Sequence, residues 1–489
     1  MVSGAEAGGK NLADVQSPIG LDYAPVRCAG DNPYWLRRDA VAICNPQLGT
    51  PQRQCNGSTS NCPGLCAKCY GEDLAFIRHQ LKVNTITIYQ PSYYILKEAQ
   101  RLGMKVVVGL LNDSVIGLAS PARRKDCTYG AAPLHLCGSD YAAALIDGAC
   151  IDHAGGDPYK LCTSHCAARS NPARDCVHGD CSCQSDSDCR GDSNRCLGGA
   201  YLAPMNNPAA GEFLRDGTVI AIQLGNEFFQ ACEPLVVPGI HQPCCSRDPK
   251  TGRCTAWTVT RRVISAAART LRAALNARGL DRVKITVNLV QEQGRKFCRH
   301  GKPPPGVDYV ATHSYCDFVA QMPPQWLTHS GAQCWERARR EFAIDQKACG
   351  ASTTYIGETG FNSGCPTAPN ARALLDAERD FVDAMVGAQP ACNSRPNPAA
   401  PFPNFLYEFE DVGPATGCLA GCGDRRRCSY NCCCKHVCSA NQRCEPDCPR
   451  CVGNGYFGLY HAPGYGTDGF PPVPKFAPMP SLLCPASQQ

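Results

Sequence analysis

The chain has 489 residues, of which 44% are hydrophobic and 19% charged, so it can bury a sizeable core and is not a disordered protein. Its net charge of +5 comes from 48 basic and 43 acidic residues spread along the sequence, a bias too weak to indicate nucleic-acid binding. No stretch approaches the roughly 18–20 apolar residues of a membrane helix, so no membrane span is expected.

The 37 cysteines indicate an oxidising compartment, because a reducing one would keep so many thiols mainly as metal ligands. They concentrate in four blocks, at 28–69, 127–196, 232–254 and 418–451. We therefore expect a secreted, extracellular protein with disulfides, and at least one cysteine of the odd total without a partner in the chain. The N-terminus has no apolar signal core, so the signal peptide is expected to be absent from this sequence.

Two short cysteine motifs, CPGLCAKC at 62–69 and CPRC at 448–451, leave a zinc site open as an alternative to disulfides. They lie near opposite ends of the chain and among many other cysteines. The redox argument therefore favours disulfides at both motifs.

Short apolar or β-branched runs recur between the cysteine blocks, as in strands that are buried on both faces. In chain order there are eight, at 19–24, 84–89, 104–111, 218–224, 283–290, 307–315, 353–358 and 405–410. Helical patterns, with apolar residues three and four positions apart, lie between several of them, at 72–82, 93–103, 258–279, 334–348 and 370–387. Gly103 and Gly279 are expected to end two of these helices.

This alternation predicts an α/β fold, a (β/α)₈ TIM barrel. The competing architecture is an open doubly wound sheet, but no Gly-rich phosphate loop follows the first strand. We expect one barrel domain over 18–480. The cysteine-rich segments are then disulfide-stapled loop insertions, one at 127–200 between strands three and four and another at 418–451 after strand eight.

Glutamates follow two of the predicted strands, at the barrel end where such folds carry their chemistry. Asn226 and Glu227 come after strand four, and Glu358 comes after strand seven. Two facing carboxylates suit glycoside hydrolysis, in which one protonates the leaving oxygen and the other attacks the anomeric carbon or activates water. A separation of ~5–5.5 Å makes the second carboxylate a nucleophile and retains the configuration. The Asn226 amide is a candidate for binding a sugar hydroxyl.

The motifs GNE at 225–227 and ETGF at 358–361 resemble the acid/base and nucleophile motifs of glycoside hydrolase family 17, the clan A β-1,3-glucan hydrolases and transglycosylases. Further resemblances occur in the same order along the chain: IGLDYA at 19–24, the segment 86–113, ATHSYCDF at 311–318 and NGYFGLY at 454–460. The resemblance covers about 300 residues, and it leaves the cysteine blocks as additional material.

The resemblance implies that Glu227 is the general acid/base and Glu358 the nucleophile, with Tyr89 and Tyr315 at the mouth of the barrel. The chain departs from the family where Phe361 replaces a tryptophan and where His313 stands in a position commonly occupied by Asn. The predicted substrate-binding residues are Asn226, Tyr89, Tyr315, Phe361, Phe229, His313 and Glu410.

The sequence therefore predicts a monomeric, retaining β-glucan hydrolase with a preference for β-1,3 linkages. No cofactor and no metal are expected, and the HExxH and GxSxG motifs are absent. Three alternatives stay open: a glucanosyltransferase using the same site, an inactive protein that binds wall polysaccharide, and another clan A activity such as that of a β-mannanase or a cellulase.

Overall fold

The computed structural model describes the barrel and parts of its connections. The described residues are 17–23, 62–89, 93–110, 112–119, 128–129, 132–133, 138–147, 149–152, 160–161, 194–197, 212–227, 256–290, 293–315, 331–361, 371–389, 392, 402–407, 459, 475–476 and 478–484. The predicted insertion at 418–451 and the site candidates Phe229 and Glu410 lie outside these residues.

Eight parallel strands form one sheet. They are β1 Gly20–Asp22, β2 Thr85–Ile88, β3 Lys105–Leu110, β4 Val219–Leu224, β5 Lys284–Val290, β6 Tyr309–His313, β7 Thr354–Glu358 and β8 Phe405–Leu406. Each strand from β1 to β6 pairs with the next, and β1 also pairs with β8 through Gly20 and Phe405. A parallel bridge between Thr359 and Leu406 links the end of β7 to β8. The sheet is thus nearly closed, which confirms the predicted (β/α)₈ barrel.

Helices surround the sheet. They are α1 Cys62–His79, α2 Tyr93–Arg101, α3 Asn112–Ala119, α4 Gly138–Asp147, α5 Glu212–Arg215, α6 Ala256–Asn276, α7 Gly294–Phe297, α8 Gly331–Cys349 and α9 Ala371–Gly387, with a 3₁₀ turn at Ala351–Thr353. All five predicted helices are present, although α1 begins earlier than predicted, within the cysteine motif at 62–69. Gly103 and Gly279 follow α2 and α6 with φ of 65° and 67°, the left-handed conformation that favours glycine after a helix. None of the described helices is long and apolar enough to cross a bilayer.

The strands alternate between two cores, because successive side chains of a strand point to opposite faces of the sheet. In β3, Val106 and Val108 belong to the large core between sheet and helices, whereas Val107 belongs to a separate core inside the barrel. The inner core also contains Ala221, Ala311, Tyr355, Phe402 and Phe405. This alternation decides which residues at the strand ends can face the mouth of the barrel.

The predicted insertion at 127–200 contains small elements of its own. Thr128–Tyr129 pairs with Ala132–Pro133, and Ala149–Asp152 pairs with both Lys160–Leu161 and Asn194–Leu197, all antiparallel. Helix α4 buries Ala142, Leu145 and Ile146 in the outer core of the barrel. This part of the segment therefore covers the barrel, while the bounds of the insertion stay a prediction.

Two disulfides between described residues join cysteines that lie outside the four sequence blocks. Cys298 is bonded to Cys349 at the end of α8, and Cys392 is bonded to Cys484 near the C-terminus. The C-terminal segment is also held by Lys475, whose Nζ lies 3.0 Å from Glu378 Oε2 of α9, with both side chains buried. These cross-links therefore brace the barrel and its C-terminal segment.

Candidate active site

The two predicted glutamates lie together at the C-terminal ends of β4 and β7. One carboxylate oxygen of Glu227, one of Glu358 and Nδ1 of His313 all lie within 4.8 Å of one another. The Glu358 side chain is 8% exposed and the Glu227 side chain 22% exposed, so the two carboxylates have unequal access to solvent. The structure thus brings together a buried carboxylate and a more open one.

The backbone that carries Glu227 has an unusual conformation. Glu227 has a φ of 47°, and Gly225, two residues earlier, has a φ of 70°. A left-handed conformation is readily adopted by glycine, but at a residue with a side chain it costs on the order of 1–2 kcal/mol. Strain of this kind concentrates at functional sites, where the surrounding structure enforces it. The positive φ angles alone therefore mark the turn after β4 as a candidate functional turn.

Glu358 is held by three neighbouring side chains. Tyr89 donates its hydroxyl hydrogen to Oε1, and Tyr315 donates to Oε2 at 3.0 Å. Nδ1 of His313 lies 3.1 Å from the same Oε2. Hydrogen bonds to a carboxylate favour its ionised form and fix its orientation. These contacts therefore hold the Glu358 carboxyl group in a fixed orientation.

The two tyrosines remain hydrogen-bond donors near neutral pH. Burial, followed by the charges of Asp22 and Glu358, raises the pKa of Tyr89 well above its ordinary value. Burial, followed by the Glu358 charge, likewise raises the pKa of Tyr315. Ionisation of either phenol would place a second negative charge beside the carboxylate, so the neutral phenol is favoured.

His313 reaches the glutamates because the register between β6 and β7 shifts. Thr312 pairs with Ile356, but the next residue, His313, pairs with Glu358, so Gly357 is skipped. A Cβ atom at Gly357 would lie 2.7 Å from the Ala311 Cβ, a separation that only glycine avoids. Bulges of this kind re-aim side chains next to active sites.

Two buried polar residues at the site were not predicted from the sequence. Asn288 of β5 donates from Nδ2 to Oδ1 of Asn226 at 3.1 Å and so orients that amide. Asp22, at the end of β1, is fully buried and contributes to the raised pKa of both Tyr89 and Tyr315. The sequence does contain a signal for both residues, because each is a polar residue within an apolar strand. Such a residue faces either the barrel interior or an internal partner.

The other candidates are less closely tied to the glutamates. Phe361 is buried in the outer core, and its ring centroid lies 6.3 Å from that of Phe381 on α9. A role of Phe361 in binding substrate stays a prediction. Tyr407, which was not predicted, is buried in a cluster with Tyr89 and Tyr315.

One imidazole nitrogen and two carboxylate oxygens lie within 4.8 Å of one another, from His313, Glu227 and Glu358. These three atoms could bind a divalent transition-metal ion. They could equally share a hydrogen in a hydrogen bond. The expectation of a metal-free site therefore stays a prediction.

Comparisons with known proteins gave matches among solved structures alone. No family profile matches the chain, and no curated protein matches it. A β-1,3-glucanase and allergen of Cryptomeria japonica pollen is 10% identical, with 80% of this chain and 91% of that chain covered and a TM-score of 0.38. A glycoside hydrolase family 17 β-1,3-glucanosyltransferase from Rhizomucor miehei is 9% identical, with 81% and 88% covered and a TM-score of 0.34.

A third similar structure is an endo-laminarinase from Formosa Hel1_33_131, which is 13% identical over 80% of this chain and 78% of that chain, with a TM-score of 0.36. At such low TM-scores these likenesses carry no argument about function. The functional assignment therefore depends on the residues of the site.

Proposed function

We propose that the protein is an extracellular retaining glycoside hydrolase that cleaves β-glucan, with β-1,3 linkages preferred. Glu358 is the nucleophile and Glu227 the general acid/base. The observation that supports these two roles is the difference in environment between two adjacent carboxylates. Two tyrosine hydroxyls donate to the buried Glu358 and His313 contacts it, whereas Glu227 is more exposed and, among the described residues, contacts His313.

The separation of the carboxylates supports double displacement. Oxygens of Glu227 and Glu358 lie within 4.8 Å, close to the ~5–5.5 Å of retaining enzymes and well below the ~6.5–9.5 Å that leaves room for a water in inverting ones. A carboxylate at the shorter distance can attack the anomeric carbon from the face opposite the protonated leaving oxygen.

The reaction then has two balanced steps. The Glu358 carboxylate bonds to the anomeric carbon while Glu227 gives its proton to the departing glycosidic oxygen. In the second step the Glu227 carboxylate takes a proton from water, whose oxygen bonds to the anomeric carbon and releases Glu358. If a sugar hydroxyl replaces water, the same site performs glucanosyl transfer.

The choice of β-glucan depends on the family 17 motifs around the two glutamates and not on any contact in the site. The extracellular setting is proposed from the 37 cysteines, and the disulfides at Cys298–Cys349 and Cys392–Cys484 support it. A monomeric chain and a site without metal or cofactor belong to the same proposal.

Product analysis tests the proposed function. The purified protein is incubated with a linear β-1,3-glucan, a mixed-linkage glucan and a β-1,4-glucan, and the anomeric configuration of the first products is followed by proton NMR. We expect β-configured oligosaccharides from the β-1,3-glucan, unaffected by prior dialysis against a chelator.

The alternatives give different outcomes in the same assay. Products longer than the substrate would indicate a transferase, and α-configured first products would contradict double displacement. Loss of activity on chelation would show that the active protein needs a metal, for which Glu227, His313 and Glu358 are the candidate ligands among the described residues. An absence of products from every glucan, with polysaccharide binding retained, would favour the inactive wall-binding protein.

The two tyrosine hydroxyls are expected to contribute to turnover through Glu358. We expect Tyr89→Phe and Tyr315→Phe each to lower kcat/KM by about 10- to 100-fold, because a hydrogen bond to a charged group is worth about 1.5–3 kcal/mol. Tyr355→Phe is the matched control, since Tyr355 is also buried but its hydroxyl bonds to Thr286 at 3.1 Å. An equal loss in all three variants would contradict a specific role for the two hydroxyls.

A further inference from the structure

His313 lies between the two glutamates, at the end of β6. Its side chain is 1% exposed. Nδ1 lies 2.8 Å from Glu227 Oε1 and 3.1 Å from Glu358 Oε2, so one ring nitrogen contacts both carboxylates. The role predicted from the sequence was contact with substrate, but these distances indicate a role directed at the glutamates themselves.

The two contacts determine where a hydrogen must be. An ionised carboxylate accepts hydrogen bonds only, and an imidazole nitrogen without hydrogen is also an acceptor. If Glu227 alone carried the hydrogen and donated it to Nδ1, the lone pairs of Nδ1 and Glu358 Oε2 would still face each other at 3.1 Å. A hydrogen on Nδ1 satisfies both contacts, because it can be shared between the two oxygens.

We propose that His313 is a positioning residue that keeps a hydrogen on Nδ1 and presents it to whichever glutamate is negatively charged. This role depends on the proposed function. Before the first step the charge is on Glu358. In the glycosyl-enzyme Glu358 is an ester, and Glu227, having lost its proton to the leaving oxygen, carries the charge. The Nδ1 hydrogen lies within reach of both oxygens and serves each state without leaving the ring.

Other described groups near His313 are compatible with this role. The titratable groups around the site are the carboxyls of Glu227, Glu358 and Asp22, and the phenols of Tyr89, Tyr315 and Tyr407. The raised pKa values of Tyr89 and Tyr315 keep those two phenols neutral. The described charges around the imidazole are therefore negative, which favours a donor hydrogen on the nitrogen that faces them.

Substitutions at position 313 can distinguish the contributions of the two ring nitrogens. The side-chain amide nitrogen of Asn occupies roughly the place of Nδ1, and that of Gln roughly the place of Nε2. His313→Asn therefore keeps a donor towards the glutamates, while His313→Gln is a matched amide that moves it away. We expect His313→Gln and His313→Ala to lower kcat about 10²-fold with KM changed less than about threefold, as for removal of one preorganised donor. His313→Asn should recover to within about tenfold of the native enzyme.

The hydrogen itself can be observed without any activity. Nitrogen-15 NMR of the histidine-labelled native protein, with the His313 signal identified by its loss in His313→Asn, reports which ring nitrogens carry hydrogen. We expect Nδ1 to be protonated near neutral pH. A shift of this signal in Glu227→Gln would show that the hydrogen faces that carboxylate.

The outcomes distinguish this proposal from the proposed function. An unprotonated Nδ1 in an active enzyme would overturn the role of His313 and leave the glycosidase assignment intact. Equal activity of the Asn and Gln variants would overturn it as well. A native protein that cleaves no glucan would refute the proposed function, and with it the coupling to catalysis, whatever the NMR result. If His313→Ala and His313→Gln do not fold, the NMR measurement on the native protein decides, because it needs only His313→Asn to identify the signal.

Discussion

Glu358→Gln is expected to lower kcat on β-1,3-glucan by about 10⁴-fold or more, since the loss of a catalytic nucleophile removes the reaction path and not merely one contact. The amide cannot attack the anomeric carbon, although it has almost the same size and shape as the carboxylate. Turnover is measured as the release of reducing ends, and glucan binding by calorimetry. Binding should persist, because the residues that contact the sugar are unchanged.

The same substitution should also reduce the free energy of unfolding. Oε1 of Glu358 accepts from Tyr89 and Oε2 accepts from Tyr315, so an amide group necessarily turns its NH₂ towards a donor. A buried donor left without an acceptor costs about 1–3 kcal/mol. The matched control is Glu336→Gln on α8, where the glutamate is 46% exposed and pairs with Arg339. It should leave turnover unchanged and lower stability only slightly, because an exposed helical ion pair contributes little. Retention of a tenth or more of native turnover by Glu358→Gln would exclude Glu358 as the nucleophile.

The strands and most of the large helices could be predicted because their local patterns are strong. The barrel strands are buried and mostly apolar, and runs such as 104–111 therefore stand out from the polar segments around them. Helix α4 is not predicted by the sequence, because its apolar residues lie within a cysteine-rich segment that is typical of an insertion.

The glutamates could also be predicted, because each ends a strand and the ends of parallel barrel strands meet at one face. The link made by His313 could not. It depends on the skipped Gly357 between β6 and β7, which puts His313 opposite Glu358. This register is set by packing between strands that are separated along the sequence, here by the close approach of Gly357 to Ala311.

The long-range cross-links were missed for a similar reason. The density of cysteines along the sequence identifies only the four blocks. The bonded pairs Cys298–Cys349 and Cys392–Cys484 involve cysteines between or beyond these blocks. Pairing depends on which cysteines the fold brings within bonding distance, and spacing along the chain does not contain that information. The buried pair of Lys475 and Glu378 is likewise a product of tertiary contact.

Glu227→Ala is expected to lower kcat/KM on glucan by about 10²–10⁴-fold, the usual contribution of a positioned acid or base. An aryl β-glucoside oligomer with a good leaving group needs little protonation, so its first step should be nearly normal. Release of the glycosyl-enzyme should then limit the rate, because no base remains to activate water. Azide needs no base, and it should restore turnover while forming a β-glycosyl azide.

Glu227→Gly is the matched variant, because it removes the same carboxylate and also relieves the positive φ of 47° at this position. Both variants should show the same azide rescue, and the glycine variant should unfold at a higher temperature than the alanine variant, by the equivalent of about 1 kcal/mol. An α-configured azide from either variant would mean that the nucleophile had been removed, and would place that role on Glu227 instead of Glu358. Full activity on glucan without azide would exclude Glu227 from the proton transfer altogether.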